Sequence, residues 1–179
     1  MSVGYLSRFI KDEFAHDTEG LSLSFSEDDR PLGTAGSLKK AQKFLKADFF
    51  VINGDTYLDI DYKKLMTTHL KTKALITLVG TTQRKKGGGT IIARNRKVID
   101  FQSFSETKPP KNSYLHAGVY VMSPRVFKYI PSQTKFSIEK GLILKLLTKQ
   151  EKIMLYPVSK QFIDIGSPEE YQQALKKLK

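Results

Sequence analysis

Phe49-Phe50-Val51-Ile52-Asn53-Gly54-Asp55 is an unbroken apolar run that ends in a polar turn. It reads as a strand buried on both faces, of the kind found in helix-covered parallel sheets, delivering polar groups at its C-terminal end. Asp55 then stands just beyond that end, where open α/β sheets place ligand groups, and Gly54 lets a ligand approach the backbone. Asn53-Gly54-Asp55 reads equally well as a plain turn into the next helix. Downstream, Asp61 to Lys71 is a helix capped by Asp61, and Ala74 to Val79 a second apolar strand, so the order is βαβ. A hairpin follows, with Thr90 to Ala93 and Lys97 to Phe101 around Arg94-Asn95-Arg96. The spacing then predicts a strand over Leu115 to Met122, a short helix over Pro124 to Ile130, a helix over Ile138 to Leu147, and strands over Ile153 to Val158 and Phe162 to Ile165. Ser167-Pro168-Glu169-Glu170 announces a closing helix through a Ser cap, Pro at the first helical position and Glu three residues after the cap. Upstream, Ser37 to Lys46 reads as a helix, Glu27 to Gly36 as a loop and Leu21 to Phe25 as a short strand. The chain opens with a helix ending near Phe14, with no strand before it.

The 179 residues are sized for one domain over 1–179, and 40% hydrophobic with 27% charged residues is ordinary globular composition. No apolar run is long enough to cross a bilayer and no secretory signal opens the chain, so a cytoplasmic protein without membrane partners is expected. The absence of cysteine excludes disulfides, thiolate metal sites and thiol nucleophiles, and three scattered histidines argue against zinc, so any metal is held by oxygen. Thirty basic against eighteen acidic side chains give +12, which attracts polyanions of any kind. Much of the excess sits on helix surfaces, at Lys39, Lys40, Lys43, Lys46, Lys176, Lys177 and Lys179, where solvated lysine is the ordinary reading. No nucleic-acid-binding motif accompanies the charge.

Asp164, between Phe162-Ile163 and the closing helix, lies like Asp55 at a junction of strand and loop. Its alternative role as a cap is weakened because Ser167 already supplies one. Two carboxylates at strand ends can share one Mg²⁺, which typically binds through one or two carboxylates plus substrate phosphates. Pro31-Leu32-Gly33-Thr34-Ala35-Gly36-Ser37 runs into a helix start, where free amides favour an anion or a nucleobase, though a turn and cap explain the segment as well. Glu106-Thr107-Lys108-Pro109 offers a carboxylate for sugar hydroxyls and a cation for phosphate. Gly118, inside a strand, marks either a bulge or a close approach of ligand or backbone. Arg84 to Gly89 is a basic, Gly-rich segment that reads as a solvated loop.

In order, Pro31 to Gly36, Phe49 to Asp55, Glu106 with Lys108-Pro109, Ala117-Gly118-Val119-Tyr120 and Phe162 to Tyr171 resemble the sugar-phosphate nucleotidylyltransferases. Phe136-Ser137-Ile138-Glu139-Lys140 brings the chain near the mannose-1-phosphate and heptose-1-phosphate guanylyltransferase branch. The resemblance implies a Rossmann-like, mostly parallel sheet flanked by helices. It implies a reaction in which a sugar 1-phosphate attacks the α-phosphorus of a nucleoside triphosphate, giving an NDP-sugar, here a GDP-sugar, and pyrophosphate. It assigns Asp55 and Asp164 as catalytic Mg²⁺ ligands, Pro31, Leu32, Gly33, Thr34, Ala35 and Gly54 to the nucleotide, and Glu106, Lys108 and Gly118 to the sugar. Two departures stand out: Thr107 intrudes into the family's Glu-Lys-Pro, leaving Thr107 or Lys108 at the lysine position, and His116 stands where asparagine is usual. Members also begin with a strand and a Gly-rich loop ending in Gly-Thr-Arg-Leu, followed by a Pro-Lys pair. Nothing in Met1 to Asp29 matches these. The fold is therefore expected to be N-terminally incomplete by about fifty residues, a βα unit needing roughly thirty or more, and the chain alone to be inactive. Two other readings are a non-catalytic binding subunit, against which both retained aspartates argue, and a basic nucleic-acid-binding domain. Self-association into a homo-oligomer is compatible with all three.

Overall fold

In the computed structural model, which describes residues 1–15, 18, 20–82, 88–103, 110, 113–160 and 162–177, the apolar runs become strands and the amphipathic stretches between them become helices. The order is β1 (Ser2–Val3), α1 (Ser7–Glu13), β2 (Ser26–Glu27), α2 (Gly33–Lys40) with a 3-10 turn Ala41–Phe44, β3 (Phe49–Ile52), β4 (Thr56–Tyr57), α3 (Tyr62–Thr72), β5 (Ile76–Thr81), β6 (Gly89–Arg94), β7 (Lys97–Ser103) and β8 (Ser113–Met122). After a 3-10 turn Pro124–Tyr129, a π-helical stretch Ile138–Ile143 continues as α4 (Leu144–Thr148), followed by β9 (Ile153–Val158), β10 (Ile163–Asp164) and α5 (Pro168–Lys177).

The main sheet has the order β3-β8-β5-β9-β7-β6, with β6 pairing β8 as well. Its two faces are covered differently. On one, Ala35 and Leu38 of α2 and Ile138, Leu142 and Leu146 pack over Ile76, Leu78, Tyr120 and Met122. On the other, Leu65 of α3 and Leu58 pack over Val79, Val119 and Val121. Successive residues of β8 thus serve opposite cores, as the two-residue period of a strand requires.

The α/β class with helices on both faces stands as read, but the sheet is mixed. β3, β5, β6 and β9 run one way while β7 and β8 run the other, so β5–β9 is the sheet's parallel pairing among the described residues and the others are antiparallel. The expectation of mostly parallel strands thus holds for direction, not for neighbours, because β8 returns between β3 and β5. β8 also changes partner along its length: Val119 to Met122 pair with β3, and Ser113 to Leu115 with β6. Gly118 sits at the switch, with φ +69, beside a register shift against β5 between Leu78 and Gly80.

Other expectations are corrected at the N-terminal end. β1 does precede the first helix, and its parallel partner is Ser26–Glu27 rather than Leu21 to Phe25, because pairing with Ser2 and Val3 sets the register. α2 starts at Gly33, four residues before the predicted start. No side chain caps it. Its Ala35 and Gly36 amides instead donate to the carbonyl of Phe136 at 2.9 and 3.1 Å, a cap supplied from a hundred residues away that local pattern does not reveal. β3 is an edge strand: Phe49 is buried, but Ile52 is 49% exposed and only β8 pairs with it among the described residues.

Candidate active site

The turn after β3 is short and tied down. Asn53 donates its amide to Gly118 O at 2.9 Å, and Thr56 N reaches Asn53 O at 3.3 Å. The chain then enters β4, whose antiparallel ladder with β10 sets Thr56 opposite Asp164 and Tyr57 opposite Ile163. A further amide, Ile165 N, donates to Asp55 O at 2.9 Å. Asp55 and Asp164, 109 positions apart, are thereby brought to one place by backbone pairing. A Cβ built on Gly166 would lie 3.1 Å from Asp164 Oδ1 and 3.9 Å from Asp55 Oδ2, which caps the separation of the two oxygens at about 7 Å.

The carboxylates are oriented unequally. Asp164 is half-buried and its Oδ1 accepts from Gly166 N at 3.0 Å, while Asp55 is exposed and accepts from Thr56 Oγ1 at 3.3 Å. No Lys, Arg or His of the described residues forms an ion pair with Asp55. Two neighbouring carboxylates, one without a cationic partner among the described residues, suit a hard divalent cation whose remaining ligands are water or phosphate oxygens. No cluster of three or more His, Cys, Asp and Glu that could hold a metal occurs among the described residues.

Gly118 forms the back of the turn. Of the alternatives in the sequence, the bulge is present as the register shift against β5, and any Cβ on Gly118 would sit 2.7 Å from Thr56 Oγ1 and 3.2 Å from Asn53 Nδ2, both side-chain atoms. Open space lies beside Gly54, where an added Cβ meets nothing within 4 Å. Protein packing does not require glycine there.

The segment Pro31 to Ala35 is fastened to a different neighbour. Leu32 and Ala35 are core side chains, the amides of Ala35 and Gly36 are spent on Phe136 O, and Thr34 Oγ1 accepts from Ile138 N at 2.8 Å. The anion-binding use of a free helix N-terminus is thus closed at those two amides. Gly33 has φ +69, and a Cβ on it would lie 2.8 Å from Phe136 O, so close backbone packing explains this glycine. Glu106, Thr107 and Lys108 lie outside the described residues, as does the stretch from Arg84 to Gly87.

A polar cluster that the sequence does not single out as a unit joins β8 to the π-helical stretch. His116 and Tyr120 of β8 point to Glu139 in the π-helical stretch, with His116 Nδ1 at 3.4 Å and Tyr120 OH at 3.3 Å from Glu139 Oε1. The hydrogen bond from His116, ahead of opposing desolvation, holds the Glu139 carboxyl below its ordinary range, and burial pushes the Tyr120 phenol well above its own. Glu139 is therefore an anion and Tyr120 a donor at neutral pH. The available clue was His116 standing at a position where asparagine was expected.

The family described as nucleotidyl transferase matches residues 5–179. D-glycero-α-D-manno-heptose 1-phosphate guanylyltransferase of Aneurinibacillus thermoaerophilus is 32% identical over 180 residues, spanning 99% of this chain and 76% of the relative. HddC from Yersinia pseudotuberculosis superposes with a TM-score of 0.81 at 29% identity, covering 99% of this chain and 77% of that one. The same protein complexed with GMP-PN gives a TM-score of 0.77 at 27% identity, over 99% and 76%. The chain belongs to the nucleotidyl transferase family, within its sugar-1-phosphate nucleotidylyltransferases.

Proposed function

We propose that residues 1–179 act as one nucleotidyltransferase domain that serves guanylyl transfer to a sugar 1-phosphate, with Asp55 and Asp164 as the shared ligands of one Mg²⁺. The observation that carries this reading is the meeting of both carboxylates at Gly166 through the β4–β10 ladder. In the reaction, a phosphate oxygen of the sugar 1-phosphate attacks the α-phosphorus of the triphosphate. The bond from that phosphorus to the bridging oxygen breaks, and pyrophosphate leaves with the electron pair. A bound divalent cation supplies neutralisation of charge on the phosphate oxygens. The chain's own groups position. Gly166 N and Thr56 Oγ1 orient the two carboxylates, Gly118 lets β8 back the Asp55 turn, and open space at Gly54 leaves room for a ligand beside the backbone. No side chain need form a covalent intermediate. Guanine as the base is supported by the guanylyltransferase relative and by the GMP-PN complex of HddC.

Calorimetry with GDP-, UDP-, ADP- and dTDP-sugars, with and without Mg²⁺, tests the reading. Mg²⁺-dependent binding that favours the GDP-sugar by roughly tenfold or more, about 1.4 kcal/mol, is expected. Binding indifferent to Mg²⁺, or tighter for another base, would contradict it.

A further inference from the structure

Glu139 is anchored in an unusual way for a half-buried acid. Its polar neighbours on β8 among the described residues, His116 Nδ1 at ion-pair distance and Tyr120 OH as a hydrogen-bond donor, converge on Oε1, and both come from buried side chains. Oε2 makes no hydrogen bond to a described residue, and the side chain is 22% exposed. Gly118 N also lies 3.4 Å from His116 Nδ1. One nitrogen cannot donate to the acid and accept the amide at once, and the charged acceptor wins the proton-bearing nitrogen. Nε2, the other ring nitrogen, is buried without a hydrogen-bond partner among the described residues. An apolar core would pack this space without such a cost, since burying polar groups with incomplete partners is unfavourable. The arrangement does one thing an apolar core cannot: it presents a fixed, charged acceptor at a surface.

The position of that surface follows from its neighbours. Ile138, adjacent to Glu139, is held by Thr34, and His116 leads two residues later into Gly118, which backs the turn carrying Asp55. Glu139 thus follows the residue fastened to the Pro31 to Ala35 segment and contacts β8 on either side of Gly118, on a π-helical stretch, a geometry common at functional sites. A carboxylate repels phosphate and accepts from a hydroxyl, so it suits the polyol part of a sugar phosphate.

Resting on the functional reading above, we infer that Glu139 Oε2 accepts a hydrogen bond from a ring hydroxyl of the sugar 1-phosphate, with His116 and Tyr120 as positioning residues that fix the carboxylate. The test is calorimetric binding of mannose 1-phosphate and its singly deoxygenated analogues. One analogue is expected to bind the wild-type chain roughly ten- to a hundredfold more weakly than the parent, the usual worth of a hydrogen bond to a charged group. In Glu139→Ala the parent weakens and that ratio falls to about one. His116→Phe, which keeps the ring but loses the donor, lowers the ratio, and His116→Asn, whose amide nitrogen takes the place of Nδ1, restores it. If Glu139→Ala does not fold, Tyr120→Phe, which deletes a single oxygen, carries the same expectation. An unchanged ratio in a folded variant, or a wild-type chain that binds sugar phosphate without distinguishing any analogue, overturns this inference alone. A wild-type chain that binds no sugar phosphate overturns the functional reading beneath it.

Discussion

Asp55 and Asp164 become a pair only because neighbouring residues allow it, and Gly118 is the least replaceable of these. Gly118→Ala places a methyl group 2.7 Å from Thr56 Oγ1 on a backbone already at φ +69. The left-handed conformation alone costs an L residue about 1–2 kcal/mol, and the clash adds to it. The midpoint of urea unfolding is expected to drop accordingly, and wild-type stability in that variant would remove the argument. His69 makes a different prediction. It is 1% exposed, its Nδ1 lies 2.8 Å from Thr77 Oγ1, and burial, opposed by Asp48, holds its pKa below the ordinary 6.5. A depressed folded pKa contributes stability that is present above the unfolded value and lost as pH falls through the folded one. Urea unfolding should therefore show stability declining from pH 7 toward pH 5, and His69→Gln should flatten that decline. An equal slope in both proteins would show that another group is responsible. Candidate positions for the two aspartates were legible because both follow apolar strand runs. The contacts of Gly33 and Glu139 were not, because they are made with Phe136 and with His116 across the fold.

Elements with local instructions form as read. Asp61 caps α3 by accepting from Lys64 N at 2.8 Å, and Ser167 caps α5 by accepting from Glu170 N at 3.2 Å. The β6–β7 hairpin turns at Asn95 and Arg96, both at positive φ (49 and 63), the pattern of a two-residue type I′ turn. Asn suits its position and exposed Arg96 does not, so Arg96→Gly is expected to stabilise the protein by about 0.5–1 kcal/mol in thermal or urea unfolding. Destabilisation would mean that the Arg96 side chain holds something its backbone geometry hides. Elements whose boundaries are set at a distance were misread. The start of α2 depends on the Phe136 carbonyl, and β4, two residues long, exists only because β10 arrives beside it. No periodicity can register in two residues.

At the scale of the whole molecule, βαβ order led to the α/β class and to two covered sheet faces, but not to the place of β8. Insertion of an antiparallel strand between β3 and β5 is a long-range choice, made by residues that read the same in either arrangement. Two features are open to association: Phe9 of α1 is 71% exposed on a helix with no buried residue, and β3 offers an unpaired edge among the described residues. Such features favour association. Sedimentation should show self-association that grows with concentration and weakens in Phe9→Glu, whereas a monomer at every concentration would contradict this. Mn²⁺, a paramagnetic stand-in for Mg²⁺, tests the sharing of one metal by Asp55 and Asp164 without requiring turnover. In an electron paramagnetic resonance titration with GDP-mannose present, the wild-type chain should take up a single Mn²⁺, and Asp55→Asn and Asp164→Asn should each weaken that site roughly tenfold or more. Unchanged Mn²⁺ affinity in both variants would contradict the account.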